Sequence, residues 1–103
     1  MNALTQARIP VARDAVATFC RRHHIRSLSF FGSVLREDFG PESDIDVLIE
    51  FEPGMVPGLE FVRMKEELSR LLGRRVDLNT PGSLSPYFRD EVLREAERVY
   101  AAA

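Results

Sequence analysis

Phe31 to Phe51, FGSVLREDFGPESDIDVLIEF, holds three segments: a Gly-Ser pair closing an apolar run, a polar loop with Gly40 and Pro41, and an Asp-x-Asp opening a second apolar run. In that second run Ile45, Val47, Ile49 and Phe51 alternate with Asp44, Asp46, Leu48 and Glu50. Alternation of period two with β-branched residues predicts a strand over 43–52 with one buried face. Side chains two apart project the same way, so Asp44 and Asp46 stand side by side on the other face. Adjacent carboxylates repel and resist joint ionisation unless a positive charge lies between them. A divalent cation meets that need, and carboxylate oxygens suit Mg²⁺ or Mn²⁺.

Upstream, Leu28-Ser29-Phe30-Phe31 predicts a first strand over 27–31, and Ser33-Val34-Leu35-Arg36 the first turn of a short helix. Gly32 at the junction lets the backbone approach a ligand closely. Free N–H groups at a helix start, together with the Ser33 hydroxyl, form a phosphate site. A phosphate cradle and a carboxylate pair, separated by VLREDFGPES, suit a nucleoside triphosphate bound through Mg²⁺. Arg36 lies one turn after Ser33. Its planar donor can reach a phosphate or pair with Glu37, Asp38 or Glu42, and the sequence leaves both readings open.

The remaining chain bounds the setting. Its 103 residues suffice for one domain with a modest core, and 45% hydrophobic residues is ordinary for a folded protein. A formal charge of −2 does not point to direct nucleic-acid binding. The single cysteine, Cys20, excludes an internal disulfide and fits a reducing compartment. No apolar run approaches a membrane span and the first ten residues lack a signal-peptide core, so a cytoplasmic protein is expected.

In chain order, Pro10 suits a first helical turn, and Ala12, Ala15, Val16, Phe19 and Cys20 predict an amphipathic helix over 10–23. Its end, Arg21-Arg22-His23-His24 followed by Arg26, reads as favourable charge at a helix C-terminus with a solvated turn, or as a contact for an acidic partner or nucleic acid. The Pro/Gly loop 53–58 connects to a helix over 59–72, with Leu59, Phe61, Met64, Leu68, Leu71 and Leu72 on one face and Gly73 as its stop. RRVDLN, residues 74–79, predicts a third strand with Val76 and Leu78 pointing one way and Asp77 the other. If it pairs with the second strand, Asp77 joins Asp44 and Asp46, and three such carboxylates can hold two Mg²⁺ ions roughly 3.5–4 Å apart. Ser85 and Pro86 open a last predicted helix, with Phe88, Val92, Leu93, Ala96 and Val99 as its buried stripe down to Tyr100. The order helix, strand, strand, helix, strand, helix gives a small mixed α/β (α+β) domain, a short sheet flanked by helices on its apolar face, with the carboxylates on the other.

With Gly32, Ser33, Arg36, Asp44, Asp46 and Asp77 in these positions, the chain resembles the minimal nucleotidyltransferases of the polymerase-β-like superfamily. The resemblance extends from the first strand to the last helix and implies one minimal nucleotidyltransferase domain over 1–103. The family's usual small residue before the Arg and Gly after it are here Leu35 and Glu37. The resemblance implies the antitoxin of a two-gene module, type VII-like, whose partner is a HEPN-domain toxin. The implied reaction moves AMP from ATP onto a tyrosine hydroxyl of that toxin. ATP phosphates would lie on Gly32 and Ser33, Asp44 and Asp46 would bind Mg²⁺, and Asp77 would help hold a second metal and act as, or assist, the base. A non-catalytic antitoxin that neutralises by binding is the competing reading, and transfer to a small molecule a third. Phe and Tyr along the last predicted helix leave room for self-association.

Overall fold

The computed structural model describes residues 12–35, 40, 42–55 and 57–102. Helix α1 (Arg13–Arg22) leads into β1 (Ile25–Phe31), a single 3₁₀ turn (Gly32–Leu35) and β2 (Ile45–Phe51). Helix α2 (Glu60–Leu72) crosses to β3 (Val76–Asn79), and a 3₁₀ turn (Pro81–Ser83) precedes α3 (Arg89–Glu95) and β4 (Glu97–Ala101). The sheet order is β3-β2-β1-β4. The β1 strand is antiparallel to both β2 and β4, whereas β3 runs parallel to β2. A parallel neighbour requires a crossover, and α2 supplies it.

The period-two pattern of 45–51 is realised as expected. Ile45, Val47 and Ile49 are fully buried, and Phe30 and Leu28 of β1 stand opposite Val47 and Ile49. Val76 and Leu78 of β3 continue the same face. Val16, Phe19 and Cys20 of α1 and Met64 and Leu68 of α2 close over it. Each such large apolar side chain contributes about 1.5–3 kcal/mol by leaving water. Gly73 stops α2 with φ 73° and donates its N–H to the Ser69 carbonyl. Leu59, expected on the buried stripe, is exposed just before the helix, while Phe61, Leu71 and Leu72 are partly buried against the core. The expected start of α1 at Pro10 lies outside the described residues.

The basic end of α1 is not simply a solvated turn. His23 packs on the Phe19 ring with centroids 4.8 Å apart, and its Nε2 lies 3.0 Å from Glu67 Oε1 of α2. Arg22 pairs with the same Glu67, so the two core helices are tied at one end by charge.

The C-terminal segment departs from the sequence expectation. In place of one helix over 85–100, a short helix α3 ends at Glu95, and Ala96 turns to extended backbone (ψ 139°). Glu97–Ala101 then add β4 to the free edge of β1. Val99 is buried, as a strand residue, whereas Phe88 and Leu93, expected on the buried stripe, are 47% and 43% exposed. An unpaired edge strand exposes a row of N–H and C=O groups, and pairing with a Val- and Tyr-containing segment satisfies it. The Ser85-Pro86 signal makes a turn instead, with Phe88 N–H donating to the Ser85 carbonyl.

Burial pushes the Cys20 thiol up from 9.0 to about 12, against a smaller opposing pull from the Arg21 charge. Thiolate is the reactive form, so iodoacetamide at pH 8 is expected to alkylate Cys20 roughly 1000-fold more slowly in the native protein than in urea-unfolded chain. The unfolded chain loses its thiol proton first, so this group's contribution is complete below pH 9 and declines as pH rises toward 12.

Candidate active site

The site lies on the face of the sheet opposite α1 and α2. Phe31, Asp46 and Asp77 are register partners across β1, β2 and β3. Neighbouring strands are about 4.8 Å apart, so the parallel pairing of β2 with β3 sets Asp77 directly beside Asp46. The pairing on which the sequence argument for Asp77 depended is therefore present. Asp77 is exposed and Asp46 half-buried.

Gly32 follows β1 with φ +79°. That is a left-handed conformation which costs an L-residue with a side chain. A Cβ at Gly32 would also collide with Oδ2 of Asp46. The carboxylate thus rests against the Gly32 backbone, and the glycine turn and the Asp-x-Asp form one site. Val34, fully buried, anchors the 3₁₀ turn to the core, and Ser33 stays half-buried beside Gly32. Arg36 and Glu37 lie outside the described residues, whereas Leu35 packs partly against the core.

Two arginines that the sequence reading assigned no role complete the site. Arg74 donates through Nη2 to the carbonyls of Gly40 and Ser43, the latter at 3.1 Å. Gly40 N–H donates to Ser43 Oγ, and Ser43 N–H to the Gly40 carbonyl. The approach to Asp44 is thereby tied to the start of β3. Arg75 accepts from Ile45 N–H at its carbonyl (2.9 Å), and its Nε donates to Asp44 Oδ1 at 3.0 Å. The only advance signal was the position of the Arg-Arg pair, immediately before the strand that carries Asp77.

On the other side, α3 walls the site. A hollow of about 240 Å³ runs beside Gly32 between Phe31 and the α3 residues Glu91, Val92 and Glu95, with Phe88 at its edge. Arg89 ties the start of α3 to the preceding turn by donating to the Leu84 carbonyl at 3.0 Å.

Asp44, Asp46 and Asp77 are the hard oxygen donors that Mg²⁺ prefers, and the Gly32 cradle brings one of them to the turn suited to phosphate. As they stand, no three His, Cys, Asp or Glu side chains among the described residues converge closely enough to hold a cation. Asp44 is instead engaged by Arg75. The donors fit the ion in kind. Also among the described residues, no helix is long and apolar enough to cross a membrane.

The profile of the nucleotidyltransferase domain matches residues 13–99. The protein adenylyltransferase MntA of Thermococcus cleftensis is 40% identical over 75 residues, 72% of this chain and 74% of that protein. A solved structure described as a candidate minimal nucleotidyltransferase superposes with TM-score 0.66 at 44% identity, covering 82% of this chain and 85% of the other. The fold is shared more distantly with the MNT antitoxin complex of a tri-AMPylated Shewanella oneidensis HEPN toxin. There the TM-score is 0.63 at 17% identity, over 87% of this chain and 70% of that one.

Proposed function

This chain belongs to the nucleotidyltransferase domain family, and from that premise we propose that it transfers AMP from ATP, with Mg²⁺, to a protein hydroxyl. The acceptor is a tyrosine of a partner toxin of the HEPN class, and the modification silences it, making this protein the antitoxin. The observation that carries the reading is the seating of Asp46 on Gly32, which joins a phosphate cradle to a carboxylate row.

The residues take distinct roles. Backbone N–H groups of the Gly32–Leu35 turn and the Ser33 hydroxyl hold phosphate oxygens. Asp44, Asp46 and Asp77 hold the metal. Mg²⁺, when bound, supplies Lewis-acid polarisation of the phosphoryl oxygens. The incoming hydroxyl oxygen forms a bond to the α-phosphorus as the bond to the pyrophosphate oxygen breaks, and Asp77 takes the hydroxyl proton. Arg36, next after Leu35 in the sequence, offers a donor to the phosphates.

Two relatives support the protein acceptor. One 40% identical is named a protein adenylyltransferase, and a more distant one is seen with an AMPylated HEPN toxin. The test is incubation with α-³²P-labelled ATP and Mg²⁺, with and without the HEPN-domain product of an adjacent gene, read on a denaturing gel. Label is expected on the partner alone. A stable complex with no label on either chain would instead favour an antitoxin that acts by binding.

A further inference from the structure

We propose that Arg75 is a stand-in cation for the metal: it holds Asp44 and exchanges that carboxylate for the polyphosphate when the metal-bound nucleotide arrives. The inference rests on the nucleotidyl-transfer reading above and assigns to it a residue outside the Gly-Ser and Asp motifs.

Three observations carry it. The first is the contact itself, Arg75 Nε to Asp44 Oδ1 at 3.0 Å. A guanidinium thus already neutralises one of the three carboxylates assigned to the metal. The second is exposure. The Arg75 and Asp44 side chains are 73% and 45% exposed, so the pair is solvated and easily displaced. The third is position. Arg75 precedes Asp77 by two residues and so shares its side of the β3 line, and the Ile45 N–H to Arg75 carbonyl bond pins its backbone beside Asp44. Arg74 does different work, since its guanidinium is spent on the carbonyls of Gly40 and Ser43.

The chemistry of the exchange is complementary. A divalent cation competes for Asp44 with a charge of two against one, and the polyphosphate it brings offers the displaced guanidinium new acceptors in a geometry suited to a planar fork. Arg75 thereby keeps the carboxylate row neutralised before loading and binds the anion afterwards.

The test is Arg75→Ala, measured by Mn²⁺ electron paramagnetic resonance without nucleotide and by calorimetric titration of ATP with Mn²⁺ present. Removing an exposed competing cation is expected to tighten Mn²⁺ binding about two- to fivefold. Loss of a charge-assisted phosphate contact is expected to weaken ATP binding about tenfold. The opposite signs are the signature, because a residue that merely props up the loop would weaken both. An unchanged Mn²⁺ affinity, or a loss in both titrations, overturns the proposal while leaving nucleotidyl transfer standing. Wild-type protein that takes up neither Mn²⁺ nor ATP removes the transfer reading and this inference together.

Discussion

Asp46→Asn is expected to lower AMP transfer by about 10²–10³-fold, the scale at which one preorganised electrostatic group acts on a developing charge. The substitution keeps the shape of the side chain and removes only its charge. Asp46 is the carboxylate that rests against Gly32 and is also the register partner of Asp77 in the sheet. It therefore couples the phosphate turn to the metal ligands, and neutralising it harms both. Because Asp46 is half-buried on the face away from the core, the melting temperature should stay close to wild type, which separates lost chemistry from lost fold. Asp77→Ala gives a different pattern, with nucleotide binding retained and transfer stopped, if Asp77 takes the proton. Transfer that survived the combined Asp44→Asn and Asp46→Asn changes would remove the whole carboxylate assignment.

The parts of this fold that could be read in advance are those set by local spacing. Ile45, Val47 and Ile49 are buried because a strand alternates, and Asp46 faces away from them for the same reason. Asp77 was placed by parity alone, and its register with Asp46 depends on where the α2 crossover lands, which no local pattern encodes. The C-terminal segment shows the opposite failure. Phe88, Val92, Leu93, Ala96 and Val99 satisfy helical spacing, yet the vacant edge of β1 draws residues 97–101 into the sheet. Tertiary pairing thus overrides a short local pattern, since a few apolar positions fit a helix or a strand about equally well. Arg74 and Arg75 were invisible for a third reason: an Arg-Arg pair before a short strand resembles a solvated surface. Only the parallel return of β3 beside β2 brings it to Gly40, Ser43 and Asp44.

Gly32→Ala separates the geometry of the turn from its stability. Gly32 and Gly54 both have positive φ, +79° and +84°, so an alanine at either position pays a similar conformational cost of about 1–2 kcal/mol. At this chain length that corresponds to a fall in melting temperature of about 5–15 °C. Their surroundings differ. A Cβ at Gly54 meets nothing within 4 Å, whereas one at Gly32 strikes the Asp46 carboxylate. Gly54→Ala is therefore expected to lose stability and keep transfer. Gly32→Ala is expected to lose at least as much stability and, assayed well below its melting temperature, to lose transfer about 10²-fold, because displacing a ligand by about 1 Å is felt on that scale. Equal transfer in the two folded variants would mean that Asp46 relaxes without consequence, and the glycine would then serve only the turn. A selective loss in Gly32→Ala would make the absence of a side chain at Gly32 a requirement of the chemistry, imposed through the carboxylate that rests on it.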